Sequence, residues 1–176
     1  MPTPVAHSLA GATIALLSSG KGPLDSKLFA ASVVAASFAD IDFGIGFLLG
    51  QNVHHYFTHS IGFTLLFAGT VTLLAPAFAR ERPAFDALVL GVAYLSHLLL
   101  DMLSKDTAPP YGIQLFWPLS REFYISPILA FDDIWRGTLG KLLGLHNWLA
   151  VAREVLIVGP PAALAFLWWK RRQGYS

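Results

Sequence analysis

Aspartate and histidine residues recur in this sequence at spacings that suit a metal ion. His97 and Asp101 are four residues apart, so on a helix they share one face and lie one turn apart. Asp40 and Asp42 are two apart and point away from each other on a regular helix. One of them is then expected to bind metal while the other orients a ligating imidazole, unless the helix loosens at Gly44 and both reach the site.

Further histidines extend this set of candidate ligands. His54 and His59 lie in a short polar link, and His7 lies at the start of the first apolar segment. Thr58 or Ser60 is predicted to cap the following helix, with His59 in its first turn. The sequence contains no cysteine, so the ligands must be nitrogen and oxygen atoms, which favours zinc, manganese, iron or magnesium.

The segments that carry these residues are apolar enough to lie in a membrane. Of 176 residues, 55% are hydrophobic and only 13% are charged, which is well below the charged share of a soluble domain. Because the backbone must satisfy its own hydrogen bonds in lipid, we predict an all-α helical bundle in one membrane domain, residues 1–176. The predicted spans, five in number and near the length that crosses a bilayer, cover residues 4–19, 27–50, 59–79, 84–103 and 149–169.

Residues 104–147 fit none of these spans. A structureless loop of this length is unusual, so we predict a cap of short helices at the membrane interface between the fourth and fifth spans. Trp117, Trp135 and Trp148 would then lie at the depth of the headgroups. An ordinary external loop is the alternative.

The basic residues predict an orientation in the inner (plasma) membrane. Seven lie on the side assigned to the cytoplasm, together with the C-terminus, and five lie in the longer opposite loops. The seven are Lys21, Lys27, Arg80, Arg82, Lys170, Arg171 and Arg172. Residues 1–6 contain no basic residue, so the first segment is expected to be a retained helix and not a cleaved signal. The net charge of +1 gives no case for a nucleic-acid partner, and nothing indicates an oligomeric state.

In this topology the ionisable residues of the spans converge on the non-cytoplasmic side. Ionisable groups inside a membrane are expensive and by default mark a function. The converging residues come from four separate segments, as a buried site requires. They are His7, Asp40, Asp42, His54, His55, His59, His97 and Asp101.

Five motifs stand in order along nearly the whole chain. They are Pro4-Val5-Ala6-His7-Ser8, Ala39-Asp40-Ile41-Asp42, His54 followed by Thr58-His59-Ser60, Ser96-His97 followed by Asp101, and Pro110-Tyr111-Gly112-Ile113-Gln114-Leu115-Phe116-Trp117-Pro118-Leu119-Ser120. Their combination resembles the YdjM-like membrane-bound, metal-dependent hydrolases. The family often has Pro where this chain has Ala39, and Arg where this chain has His55. Without the Arg, the phosphate contact expected at this position is missing. The histidine in its place joins the candidate ligands.

The resemblance implies a membrane hydrolase that uses a divalent metal. The family is distantly similar to zinc-dependent phospholipase C, an all-helical enzyme with a zinc cluster. That likeness implies that His97 supplies a ligand and Asp101 a bridging carboxylate, with His7, Asp42 and His59 completing the set. The histidines are too few for a three-metal cluster, so one or two ions are expected, with zinc before manganese.

The leading hypothesis is hydrolysis of a phosphoester in a membrane lipid, either a phospholipid or a lipid-linked phosphate. Metal lowers the pKa of a bound water toward ~7 and neutralises charge on the phosphate. The ligands of a first ion would be Asp40 or Asp42, His59, His97 and Asp101, and those of a second ion Asp101, His7 and His54. The carboxylate that is not used as a ligand is the candidate general base, and Asp40 and Asp101 are the candidate catalytic residues. Arg121 or Lys105 would hold the substrate phosphate.

Two other functions remain open from the sequence. A metal-ion or proton-handling membrane protein without hydrolase activity would also place acidic and imidazole groups in the membrane, but the cytoplasmic half of the bundle is apolar. A haem protein would use His59 and His97 as axial ligands, but the carboxylates beside them count against it.

Overall fold

Helices account for the regular secondary structure of the residues that this computed structural model describes, which are 1–78, 80–107 and 109–174. The helices are α1 (Pro4–Ser18), α2 (Ser26–Ala35), α3 (Ile41–Leu49), α4 (Ile61–Leu74), α5 (Pro83–Met102), α6 (Leu139–Leu142) and α7 (Leu145–Arg172). Short 3₁₀ turns at Phe38–Asp40 and Phe57–His59 precede α3 and α4, and a third, Ala75–Phe78, follows α4. The predicted all-α class is confirmed.

Polar residues next to the apolar runs fix where the helices begin. The Asp25 carboxylate accepts hydrogen bonds from the backbone of Lys27 and Leu28, both at 3.0 Å, and so caps α2. The Ser60 hydroxyl accepts from the backbone N–H of Phe63 at 3.0 Å and caps α4, as one of the two predictions had it. His59 was predicted in the first turn of this helix, but it lies in the 3₁₀ turn that precedes the cap.

Among the described residues, three helices are long and apolar enough to cross a membrane, and they cover Ile61–Phe78, Pro83–Met102 and Leu139–Arg172. A fourth span results if Ser26–Ala35 and Phe38–Leu49, bent by 54° at their junction, count as one. The five predicted spans are therefore not confirmed. The difference is α1, because 15 residues at ~1.5 Å each give a helix of about 22 Å, shorter than the ~30 Å hydrocarbon core. The predicted end of the third span at Ala79 lies outside the described residues.

Helix α5 lies at the centre of the bundle, with α1, α2 and α4 packed against it and α7 packed against α1. The approach of α1 to α2 is close enough to require glycine. A Cβ added at Gly11 would lie 2.6 Å from the carbonyl oxygen of Ser32, whose hydroxyl donates to the Gly11 carbonyl at 2.9 Å. This contact fixes the position of α1 beside the bent α2–α3 pair.

Residues 104–144, here called the cover segment, are mostly irregular. The prediction of a cap of short helices differs from this, since the described part holds only the four-residue α6, and α7 already begins at Leu145. Backbone hydrogen bonds attach the segment to the bundle: Lys105 donates to Phe131 at 3.0 Å, and Gln114 donates to His55 at 3.0 Å. The cover segment therefore lies against the C-terminal end of α5 and the link before α4.

Candidate metal centre

The break between α2 and α3 determines how the predicted site residues meet. The chain leaves the helical path at Ser37, makes the 3₁₀ turn Phe38–Asp40, and resumes in α3 at an angle of 54°. Asp40 therefore lies in the turn and Asp42 in the first turn of α3, and both carboxylates face the histidines of the neighbouring segments. Gly44, where loosening was predicted, lies inside α3, beyond the break.

The seven predicted ligands lie together in this region. They are His7 from α1, Asp40 and Asp42 from the break, His54 and His59 from the link, and His97 and Asp101 from α5. Sets of three among them offer ligand atoms within 4.8 Å of one another. The side chains of His7, Asp42, His59 and His97 are fully buried, so water does not screen their interactions.

Three atoms form the centre of the cluster. The Nε2 atoms of His59 and His97 lie 3.1 Å apart, and the Oδ2 atom of Asp101 lies 3.2 Å from the first and 3.1 Å from the second. Ligands 2.0–2.1 Å from a tetrahedral zinc ion are about 3.3 Å from one another. The triangle thus has nearly the dimensions of one face of a zinc coordination shell.

The tautomers of the two histidines show why this triangle needs a cation. His97 Nδ1 lies 2.8 Å from the carbonyl oxygen of Ala36, which can only accept, so Nδ1 carries the proton. The Thr58 hydroxyl donates to Asp42 at 2.8 Å and is 3.1 Å from His59 Nδ1, from which it accepts. In the neutral rings both Nε2 atoms then present lone pairs to each other and to a carboxylate. A proton or a metal ion must lie among them.

One proton cannot satisfy all the hydrogen-bond acceptors that surround the triangle. Both nitrogens of His7, both oxygens of Asp101 and Oδ1 of Asp40 are buried and lack a hydrogen-bond partner. Asp40 Oδ1 is 3.8 Å from His59 Nε2 and 3.7 Å from His97 Nε2. His7 Nε2 is 3.6 Å from the other oxygen of Asp101, Oδ1. Because buried polar atoms are normally satisfied, this set of nitrogen and oxygen atoms fits a divalent cation.

Asp42 occupies a different position from Asp40. Its Oδ1 is 2.8 Å from His54 Nδ1, and its Oδ2 accepts from the Thr58 hydroxyl and from the backbone N–H of His55 at 3.2 Å. These contacts are on the Nδ1 side of the rings, away from the triangle. The sequence leaves open which aspartate binds metal. The geometry gives Asp42 the orienting role and leaves Asp40 Oδ1 without a partner beside the triangle, available as a ligand or as a base.

His54, which lies in the link outside the triangle, differs in charge from His59. Burial lowers the pKa of His54 to about 4 despite the contact with Asp42, so this ring is neutral at pH 7 and able to bind metal. Burial also lowers the pKa of His59, but contacts with the carboxylates of Asp101 and Asp42 outweigh it and raise the pKa to about 9. Without a cation, His59 therefore holds the proton that the triangle requires.

His55 is buried and has a strained backbone. Its φ is +70°, a left-handed conformation that is uncommon for a bulky residue. The conformation is held by Asp42, which accepts from the His55 N–H, and by Gln114, which donates to the His55 carbonyl. Its Nδ1 lies 3.5 Å from Asp106, and its Nε2 is buried without a partner. Such strain is typical of functional positions.

A cavity of about 530 Å³ opens beside His54 and His55. Lys105, predicted to contact substrate, lines it, whereas Arg121 does not. Two basic residues that the sequence did not single out, Arg136 and Lys141, complete the wall. They approach the site only because the cover segment folds back, which no local sequence pattern indicates.

Two other residues of the site were also missed. Thr58 links His59 to Asp42, as described above, and its position next to His59 in the third motif was the available signal. Tyr94 is fully buried, and its hydroxyl donates to the Thr58 carbonyl at 2.7 Å. Tyr94 lies three residues before His97 on α5, so the same helix that carries His97 also holds the turn that carries His59.

Comparisons with known proteins identify related membrane proteins. A family model described as the YdjM inner membrane protein matches residues 1–174. The inner membrane protein YbcI of Escherichia coli (strain K12) is 30% identical over 184 residues, which cover 98% of this chain and 100% of that protein. No solved structure matches. Both descriptions state a location in the inner membrane and name no reaction.

Proposed function

The chain belongs to the YdjM inner membrane protein family, and we propose that it is a metal-dependent hydrolase that cleaves a phosphoester of a membrane lipid. The observation that carries the proposal is the triangle of His59 Nε2, His97 Nε2 and Asp101 Oδ2, with edges of 3.1–3.2 Å and, when both imidazoles are neutral, no donor among its atoms. A group of lone pairs this close is stable only around positive charge. The absence of cysteine and the mixture of imidazole and carboxylate favour zinc, then manganese.

The proposed ligands follow from the free atoms. His59, His97 and Asp101 would hold one ion, and His7 with the second oxygen of Asp101 would contribute to another. When bound, such an ion supplies a water of lowered pKa and neutralises charge on a phosphate oxygen. Asp42 and Thr58 hold the His59 ring in one orientation, so that Nε2 points to the centre.

Asp40 is the proposed general base. Its side chain is the most exposed carboxylate of the cluster, at 19%, whereas those of Asp42 and Asp101 are fully buried. Its Oδ1 accepts no hydrogen bond and faces the triangle at 3.7–3.8 Å. A carboxylate so placed can take the proton of a water that attacks a phosphorus atom.

The membrane position of the site supports a lipid substrate. The cluster lies where α5 ends and the cover segment begins, and the basic-residue pattern places this end on the non-cytoplasmic side in our proposed orientation. A headgroup would enter through the cavity beside His54 and His55, while its tails stay in lipid. The substrate is then a phospholipid or a lipid-linked phosphate.

A metal-ion or proton carrier is the alternative, and the interior of α5 disfavours it. Between the site and the Arg80–Asp86 ion pair at the opposite end, the buried residues of α5 are apolar or aromatic. They are Ala87, Val89, Leu90, Gly91, Ala93 and Tyr94. A carrier would need polar groups along such a path.

The test is metal analysis followed by a substrate assay. The full chain, purified in detergent and reconstituted with zinc or manganese, is expected to retain one or two equivalents of metal after dialysis. His97→Ala and Asp101→Asn should lose the metal and the release of phosphate or phosphorylated headgroup from lipid phosphoesters. Asp132→Asn is the matched control, because this carboxylate pairs with Arg153 on the surface and lies outside the cluster.

Two results would contradict the proposal. Wild-type protein without metal after reconstitution with either ion would remove its basis. Full hydrolysis by His97→Ala or Asp101→Asn would show that the reaction does not use this centre.

A further inference from the structure

Three cations line the cavity beside the metal centre without carboxylate partners. The side chains of Lys105, Arg136 and Lys141 form no ion pair among the described residues, although Asp106 and Asp133 lie in the same wall. The carboxylates make other contacts. Asp106 accepts from the Gly112 N–H at 2.9 Å, and Asp133 accepts from the Thr107 hydroxyl at 3.1 Å and lies 3.5 Å from His146 Nε2. The wall therefore holds three basic side chains against two carboxylates, and none of the three is in an ion pair among the described residues.

The cavity also contains a buried polar atom without a partner. His55 is 8% exposed, its side chain lines the cavity, and its Nε2 makes no hydrogen bond. The ring lies between the cations and the metal centre, since its centroid is 5.0 Å from that of His59. A ligand group in the cavity that forms a hydrogen bond, such as a protonated phosphate oxygen, would give this nitrogen the partner that it lacks.

The loop that carries two of the cations is held rigidly. Asn147, buried at the start of α7, accepts from the Trp135 N–H and donates to the carbonyls of Trp135, Lys141 and Leu142, all at 2.9–3.2 Å. The backbone beside Arg136 and that of Lys141 are thereby fixed to α7. A loop backbone that is already fixed loses less entropy when its side chains bind an anion.

From these observations, and resting on the proposed function, we propose that the cavity binds a second phosphate and that the substrate class is a lipid-linked diphosphate. The terminal phosphate would enter first and reach the metal centre, and the phosphate joined to the lipid would stay beside Lys105, Arg136, Lys141 and His55. A zwitterionic phosphodiester headgroup would place a cation among these cations, and a lipid monophosphate would leave the cavity without an anion. A lipid diphosphate supplies one phosphate to the metal centre and a second phosphate to the basic residues of the cavity.

The reaction balances without any further reactant. The oxygen of one water molecule forms a bond to the terminal phosphorus, and the bond from that phosphorus to the bridging oxygen breaks. The bonding pair remains on the bridging oxygen, which becomes part of the lipid monophosphate. The other product is inorganic phosphate, and one proton is released to solvent by way of the base. Charge that develops on the leaving phosphate is met by the cations of the cavity.

The test compares lipids with identical tails. Diacylglycerol diphosphate, phosphatidate and phosphatidylcholine are assayed in mixed micelles with the zinc-loaded full chain and with Arg136→Gln/Lys141→Gln. We expect the diphosphate to have the lowest KM, and the double variant to raise that KM by roughly tenfold to a hundredfold, as loss of charge-assisted contacts does. The KM for phosphatidate should not change. Lys21→Gln, an exposed lysine at the other end of the bundle, is the control.

Binding of non-hydrolysable methylene-diphosphonate lipid and of inorganic diphosphate to metal-free protein gives a readout independent of catalysis. Binding of the diphosphonate lipid that is lost in the double variant and kept in Lys21→Gln would support the proposal even if no lipid is hydrolysed, in which case the proposed function alone fails. Equal KM values for diphosphate and phosphatidate, or unchanged lipid binding in the double variant, would overturn it. Inorganic diphosphate bound as tightly as the lipid would overturn the assignment of a lipid substrate.

Discussion

Replacing Asp42 by Asn should weaken metal binding without abolishing it. Asp42 is completely buried and contacts His54 and His59 at their Nδ1 atoms, on the side of the rings away from the triangle. The amide keeps the size of the carboxylate but loses its charge and one acceptor, so the rings lose the partner that sets their tautomer. Residues in this orienting position change metal affinity by about 10- to 100-fold.

The structure places the expected effect near the upper end of that range. Asp42 orients two histidines and also receives the Thr58 hydroxyl and the His55 N–H, so a single substitution disturbs the whole link. A hundredfold loss corresponds to about 2.7 kcal/mol of binding free energy. Thr58→Val, which removes only the hydroxyl between Asp42 and His59, should cost about tenfold.

The assay is a zinc titration against a chelator of known affinity, with metal content measured at saturation. Asp42→Asn should reach the wild-type stoichiometry at higher free zinc, whereas Asp101→Asn should not reach it at any concentration used. Asp40→Asn is the comparison that decides the roles of the two aspartates. In the proposed roles Asp40→Asn keeps near wild-type zinc affinity and loses hydrolysis, because Asp40 is the base and not a ligand. If Asp42→Asn, like Asp101→Asn, fails to bind the ion at any concentration used, the assignment of Asp42 as an orienting residue is refuted.

Three further predictions concern pH and stability. The pKa of about 9 for His59 means that a cation must displace its proton at pH 7. Zinc affinity should therefore rise by about tenfold per pH unit from pH 7 to pH 9 and stay constant above pH 9. A zinc dissociation constant that does not change with pH in calorimetry would contradict this. Gly11→Ala should destabilise the protein by about 1–3 kcal/mol, since its Cβ meets the Ser32 carbonyl, whereas Gly69→Ala, with open space around it, should not lower the melting temperature in detergent. Asp86→Asn breaks the 2.6 Å contact with Arg80 and should cost about 1.5–3 kcal/mol with zinc affinity unchanged; altered affinity would show that the two ends of the bundle are coupled.

The sequence predicted the helical class and the set of residues that meet, because both depend on local patterns. The spacing of His97 and Asp101 on one helix face carries over directly to the structure, where His97 Nε2 and Asp101 Oδ2 are 3.1 Å apart. The span count was less accurate, since α1 is apolar over 15 residues and hydropathy alone does not separate a short buried helix from a membrane span.

The division of roles between Asp40 and Asp42 required the structure. It depends on the break at Ser37, where the chain leaves the helix before the two aspartates and not at the glycines that follow them. Arg136 and Lys141 were missed for a related reason. Their approach to the cavity depends on the fold of a long irregular segment and on the hydrogen bonds of Asn147, and such contacts leave no periodic trace in a sequence.

Helix α7 contributes none of the proposed metal ligands, yet it holds two parts of the site. Asn147 fixes the loop of Arg136 and Lys141. Glu154 accepts from the Thr3 N–H at 2.9 Å and from the Thr3 hydroxyl at 2.5 Å, which anchors the start of α1 four residues before His7. With 28 residues α7 is about 42 Å long, more than the ~30 Å hydrocarbon core, so a helix of this length adjusts to bilayer thickness by tilting. A change of tilt would move the cavity wall and His7 together relative to α5. We therefore expect the activity of this protein to depend on the thickness of the surrounding membrane, with acyl-chain length in reconstituted vesicles acting on the site through α7.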